Sequence, residues 1–329
     1  MIPDISQEYS KIIASYSGRR ILVLGGTGFI GSTIARRLIE AGAKVTVTTT
    51  DQHSGHLSEI LARNARIEQL DVRDYDHLCR LVTNQEVLLN FAGISGAAKS
   101  NERPLQDLDV NGRGVLNVLE ACRIHAPQIR VIFPGSRLQY GVPNYVPVDE
   151  SHTMNPVTVY GIHKLLSEQY HSLYAENHGL NTTVFRISVV YGYSSQHTRF
   201  SDYNVISRFI HTALNDGVIR VFGDGRQARD YIHIDDLVET VLRAGMRGDM
   251  VGQAYNTGGG EPIPLIDMAQ AIVGNAKRGH IEHVDWPDAQ KKIETGDFYY
   301  SIDKLAGILN WRPTTTIDEG LTKSLHNFV

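Results

Sequence analysis

The sequence predicts an α/β protein built on a doubly wound parallel sheet, with a smaller, interrupted C-terminal domain. Three observations predict it. Strand-like and helix-like segments alternate through the first half of the 329 residues. Several of the strand candidates are continuous apolar runs, as expected where helices cover both faces of a sheet. A glycine-rich turn separates the first strand from the long helix that follows it.

The strand candidates in order are "RILVLG" (20–25), "KVTVTT" (44–49), "ARIEQLD" (65–71), "EVLLNFAG" (86–93), "IRVIFPG" (129–135) and "NTTVFRI" (181–187). Helix-length patterns lie between them at 29–41, 75–82, 107–125 and 157–178. The first twenty residues lack the apolar core of a signal peptide and read as a short helix leading into the first strand. The pattern changes after about 190. A polar stretch, "YSSQHTRFSDYN", precedes a helix at 204–215 and a strand at 219–223. "DYIHI" and "DDLVETVLRAG" then read as a return to the first domain. "PLIDMAQAIVGNA" (264–276) and helices at 302–309 and 317–327 close a smaller domain. This divides the chain into a dinucleotide-binding domain, 1–188 and 230–257, and a second domain, 189–229 and 258–329. "GGG" at 258–260 reads as a loop.

Hydrophobic residues make up 42% and charged residues 21%, the balance of a soluble globular protein. A net charge of −4 gives no global attraction to nucleic acid or to an anionic membrane. No apolar run reaches the length of a membrane span, and a cytoplasmic protein is expected. Cys79 and Cys122 lie in apolar, helix-like contexts and read as buried free thiols.

"LVLGGTGFIGSTIARRL" places Gly25, Gly28 and Gly31 between strand and helix. Glycine lets a pyrophosphate approach the main chain, and the helix N-terminus supplies N–H donors and a positive dipole end. A ribose-binding acid is expected at the end of the second strand. Thr49 and Thr50 occupy that place and Asp51 follows slightly late. Asp51 within reach of the ribose favours NAD. The threonines would leave room for the 2′-phosphate of NADP, but no arginine or lysine follows them closely. Asp71, at the end of the third strand, is placed to accept from adenine beside Val72; it could instead cap a helix, for which Asp74 is better placed.

"YGIHK" sets Tyr160 and Lys164 four residues apart, one helical turn, on one face. A tyrosine, with its ordinary pKa near 10, becomes a base at neutral pH only beside a cation. The pair suits removal of a hydroxyl proton while a hydride leaves the same carbon for a nicotinamide ring. Ser136, just after the fifth strand, lies at the sheet edge where ligands bind and supplies a hydrogen bond to the reacting oxygen.

With these motifs in order the chain resembles the extended short-chain dehydrogenase/reductases, a Rossmann-like family, and within them the nucleotide-sugar epimerases and dehydratases. The resemblance runs from "GGTGFIG" through "NFAG", "DVNGRGVLNVLEA", "SRLQYG", "YGIHK", "FRISVVYG" and "GDGRQARDYIHIDDL" to "YNTGGG" and "LNWRP". It implies that Tyr160 is the base, that Lys164 holds the nicotinamide ribose and lowers the tyrosine pKa, and that Ser136 binds the sugar hydroxyl. Gly25, Gly28, Phe29 and Ile30 would hold the pyrophosphate, Asp71 and Val72 the adenine, and Phe91 and Ala92 would line the groove. Arg229 would bind the substrate diphosphate, against a competing ion pair with Asp230 or Asp224. Asn204 would touch the diphosphate or cap its helix. The implied activity is NAD-dependent epimerisation of a nucleotide sugar at C4 through a transient keto sugar, in a homodimer paired through the helices at 107–125 and 157–178. A 4-dehydrogenase or ketoreductase with net cofactor turnover is the alternative.

Three departures stand out. Arg137 and Leu138 occupy the positions of the acidic pair that dehydratases of the family carry, which disfavours elimination and decarboxylation. Val189 and Tyr193 replace a usual asparagine and proline. The ribose acid is displaced. His280 and His283 have ligand-like spacing without companion ligands, so no metal is expected. Tyr299 and Tyr300 read as packing residues, Arg36 and Arg37 as solvated.

Overall fold

The computed structural model describes residues 5–50, 59–192 and 204–326. The strands in chain order are β1 (Arg20–Leu24), β2 (Lys44–Thr49), β3 (Arg66–Gln69), β4 (Val87–Asn90), β5 (Arg130–Ser136), β6 (Asn181–Ile187), β7 (Val189–Tyr191), β8 (Val218–Phe222), β9 (Ala228–His233), β10 (Gln253–Thr257), β11 (Pro262–Pro264) and β12 (His280–Val284). Seven form one sheet in the order β10-β6-β5-β4-β1-β2-β3, and every pairing within it is parallel. The order reverses between β1 and β4, which opens a crevice at the carboxyl ends of those strands.

Strand periodicity builds a core on each face. Ile21 and Val23 of β1 join Ile34 and Leu38 of the helix Phe29–Glu40 and Leu237 and Val241 of the helix Ile234–Gly245. Leu22 and Leu24, one residue out of phase, join Leu78, Val118 and Tyr174 from helices on the opposite face. A separate cluster of Phe209, Ile219, Val221, Met268 and Leu321 holds the C-terminal part together. That part contains the sheet β11-β9-β7 and the pair β12-β8.

Two expectations are refined here. "DYIHI" falls largely in β9, which pairs with β7 and β11 outside the large sheet; the helix Ile234–Gly245 and β10 are what return to it. The helix expected over 107–125 is interrupted: Leu108–Arg113 is a π turn leading into Gly114–His125. Asn111 sits in that turn and its side chain both donates to Ile94 O (2.8 Å) and accepts from Ile94 N (3.0 Å). Among the described residues no helix is long and apolar enough to cross a membrane.

Candidate active site

A cavity of about 760 Å³ opens over the crevice. Its floor begins at the turn after β1. Gly25 has φ +69°, and a Cβ there would stand 2.6 Å from Phe91 O. A Cβ on Gly31 would overlap Gly25 O. Gly25 N donates to Thr48 Oγ1 at 3.1 Å, which ties the turn to β2. Gly28 precedes the helix Phe29–Glu40 and makes no side-chain cap. Gly25, Gly28, Phe29, Ile30 and Gly31 all line the cavity. A side-chain-free cradle ahead of a helix N-terminus fits a dinucleotide pyrophosphate.

At one end Asp71, Val72, Phe91 and Ala92 line the same space. Asp71 accepts from Arg73 Nε (2.9 Å) and from Arg73 N (2.9 Å), and the Arg73 hydrogen bond holds its carboxyl below the usual range. Asp74, as expected, caps the next helix by accepting from His77 N (3.0 Å). Thr49 and Thr50 line the cavity, while Asp51 and Tyr193 lie outside the described residues.

At the other end the structure brings Ser136, Tyr160 and Lys164 together on the cavity wall. The helix Val159–His178 carries the last two. Thr158 caps it by accepting from Gly161 N (3.0 Å), and Ser100 Oγ accepts from Tyr160 N (3.0 Å). Gly161 lets the helix approach the turn after Ser136, because a Cβ there would overlap Leu138 O. That close approach lets the Tyr160 hydroxyl hydrogen-bond with Ser136. Lys164 Nζ donates to Pro134 O (2.7 Å) and lies 4.5 Å from the Phe133 ring centroid and 5.6 Å from that of Tyr160.

The electrostatics refine the expectation that Lys164 lowers the tyrosine pKa. Burial pushes the Tyr160 phenol up, the Asp107 carboxylate pushes it further, and only the Ser136 hydrogen bond opposes them. Burial also brings Lys164 down to about 8, against the pull of Asp107. The ammonium is aimed at a backbone carbonyl, not at the phenol oxygen. A further cation beside the ring is what would bring Tyr160 toward neutrality.

Two expected substrate residues stand differently. Asn204 lines the cavity, and its side chain also caps the helix Val205–Leu214 by accepting from Ser207 N (2.9 Å). Arg229 is not among the lining residues. It is buried, ion-paired with Glu294 rather than with Asp230 or Asp224, and donates to Gly296 O and Ala228 O. Asp230 instead accepts from Gly259 N (2.6 Å) and Tyr300 N (3.3 Å), which explains "GGG" as a loop folded onto a buried carboxylate.

Sequence reasoning missed the support of Ser136. Ser136 N donates to Gln139 Oε1 (2.6 Å), Gln139 Nε2 donates to Glu168 Oε2 (2.7 Å), and Arg186 Nη2 donates to Glu168 Oε1 (2.6 Å). Glu168 is one turn beyond Lys164 on the same helix. The spacing from Ser136 to Gln139 is that of a capping box and was the available signal. His280 and His283 lie on β12, with His283 Nδ1 2.8 Å from Gly223 O. Tyr300 is buried against Tyr140 and Phe298.

The family model for the NAD dependent epimerase/dehydratase family matches residues 21–258. A putative UDP-glucose 4-epimerase of Methanocaldococcus jannaschii is 32% identical over 307 residues, covering 92% of this chain and 96% of that protein. Among solved structures, an epimerase from Methanothermobacter thermautotrophicus superposes with a TM-score of 0.88 at 25% identity, covering 98% of this chain and 96% of the other. UDP-glucose 4-epimerase from Thermotoga maritima, solved with UDP-glucose, gives 0.85 at 26% identity, covering 94% and 98%.

Proposed function

The chain belongs to the NAD-dependent epimerase/dehydratase family, and on that footing we propose that it epimerises a nucleotide sugar at C4 through a transient keto sugar. The carrying observation is the meeting of Ser136, Tyr160 and Lys164 on the wall of the cavity that starts at the Gly25–Gly31 turn. Relatives named as 4-epimerases support the choice of carbon.

The bound nicotinamide supplies a hydride acceptor and donor at the sugar carbon. The chain supplies the rest. Tyr160 holds or releases the hydroxyl proton, and Ser136 hydrogen-bonds the same oxygen. Lys164, tied to Pro134 O, fixes the ring of Tyr160 and keeps positive charge near the cofactor ribose. Gly25, Gly28, Phe29, Ile30 and Gly31 cradle the pyrophosphate, Asp71 and Val72 take the adenine end, and Asn204 lies toward the sugar nucleotide, while Arg229, committed to Glu294, supports the wall behind.

The two-domain division at 188 and 257 is kept as part of the same reading, with the return to the first domain beginning at the helix Ile234–Gly245 rather than at 230. So is a homodimer. Leu108 (41% exposed), Ile162 (50%) and Leu173 (47%) leave apolar surface on the π turn and the helix Val159–His178, which pack together. The free Cys79 and Cys122 suit a reducing cytoplasm.

Purified protein incubated with a panel of sugar nucleotides tests the proposal. Isomer formation without net change in reduced nicotinamide absorbance is expected. Sustained stoichiometric reduction or oxidation would replace the epimerase with a 4-dehydrogenase or ketoreductase.

A further inference from the structure

We infer that Arg137 selects the substrate, by pairing with a carboxylate carried on the sugar ring. The inference deepens the epimerase reading and rests on it for the placement of the sugar at Ser136 and Tyr160.

Arg137 directly follows Ser136 in the chain and opens the short 3₁₀ turn Arg137–Gln139. It lines the cavity. Its hydrogen bond goes to a neutral group, Thr295 Oγ1, at 3.2 Å. The guanidinium carbon lies 5.4 Å from the centroid of the Phe298 ring, whose face it covers. A cation–π contact of this kind uses none of the guanidinium N–H donors, which leaves those not bonded to Thr295 for a second ligand. Among the described residues no carboxylate comes within ion-pairing distance of Arg137. Glu294, the nearby candidate, is already taken by Arg229 and by the N–H groups of Thr295 and Gly296 (both 3.0 Å).

The other cations of the cavity are committed. Arg73 is paired with Asp71, and Lys164 donates to Pro134 O. Arg137 is therefore a half-buried cation with no ion pair of its own, beside the buried Arg229; the Glu294 and Asp230 carboxylates act on it only from beyond ion-pairing distance. Burial and Arg229 together bring its pKa down to about 10. A neutral hexose closing this end of the cavity would leave that charge unpaired, which is costly. A ring carboxylate would meet it as a planar, two-oxygen acceptor. The diphosphate is the other anion a sugar nucleotide carries. It is common to all such substrates, so a contact with it would weaken every sugar equally when lost.

UDP-glucuronate and UDP-glucose differ only in this carboxylate and are the probes. Their dissociation constants are measured on the NAD-loaded protein, with Arg137→Gln and Arg137→Lys variants checked for NAD retention. The wild type should favour the uronate by about 10- to 100-fold, the worth of one charge-assisted pair. Arg137→Gln should shrink the ratio to within about threefold, and Arg137→Lys should recover part of it. Equal affinity for the two sugars, a preference for glucose, no uronate binding, or an equal loss of both in Arg137→Gln would each overturn the inference. Product analysis of the same mixtures keeps the two claims apart. An Arg137-dependent preference without isomer formation retires the epimerase reading and leaves the pairing; isomer formation without the preference does the reverse.

Discussion

At the scale of single residues, Tyr160 shows how far burial outweighs a neighbouring cation. The phenol lies within a turn of an ammonium, yet desolvation and Asp107 hold it protonated. With its hydroxyl as the proposed proton carrier, Tyr160→Phe should lower kcat by about 10²- to 10⁴-fold. NAD retention and the melting temperature should stay close to wild type, as read by cofactor absorbance after denaturation and by a thermal scan. At Gly31 the constraint is steric. A Cβ there overlaps Gly25 O, so Gly31→Ala should abolish copurification of NAD. A variant that retained a full complement would contradict the cradle. Both positions were legible in the sequence, because a glycine turn and a tyrosine–lysine spacing are local patterns. Arg229 was less so. Its partner Glu294 is sixty-five residues away, and no spacing rule connects them.

At the scale of elements, the helix Val159–His178 organises the catalytic end. Its N-cap Thr158, the close approach at Gly161 and the ties through Ser100 and Asn101 fix where Tyr160 points. The chain Ser136–Gln139–Glu168–Arg186 locks the serine turn to the same helix. Gln139→Leu removes the acceptor for Ser136 N and the donor to Glu168. It should reduce kcat about tenfold or more while leaving NAD affinity unchanged, because misplacement of a reacting group costs rate rather than cofactor contacts. Steady-state kinetics beside fluorescence titration of NAD would show the split. Most helix and strand positions were readable from periodicity, within two or three residues. The exceptions have tertiary causes. The π turn at Leu108–Arg113 accompanies the bond from Asn111 to Ile94, and β10 ("QAYNT") is a strand because it pairs with β6, not because of its own pattern.

At the scale of the whole molecule, titration and assembly become measurable. Lys164 has its pKa lowered in the fold to about 8 from 10.5, so the unfolded chain holds more protons between those values. Stability contributed by this group is therefore present above the unfolded pKa and lost as pH falls through about 8. Wild-type protein should gain on the order of 3 kcal/mol relative to Lys164→Met between pH 8 and 10.5. Urea denaturation of both proteins across that range measures it; parallel pH dependences would contradict the buried lysine. For assembly, Ile162→Glu places a charge on an exposed apolar position of the helix Val159–His178 and should turn the proposed dimer into a monomer in sedimentation velocity at micromolar concentration. The parallel, doubly wound sheet with its ligand edge follows from strand–helix alternation and was legible at this scale. The pairing of β9 with β7 and β11 was not, because a short strand carries no mark of which sheet it joins.

The most direct test of the central claim follows the hydrogen at C4. A substrate labelled with deuterium at C4 is epimerised in ordinary water and the product analysed by mass spectrometry. Removal of the hydroxyl proton by Tyr160, with hydride leaving and returning at the same carbon, predicts that the label stays at C4 through every turnover. Washout of the label into water, at the rate of epimerisation, would contradict it.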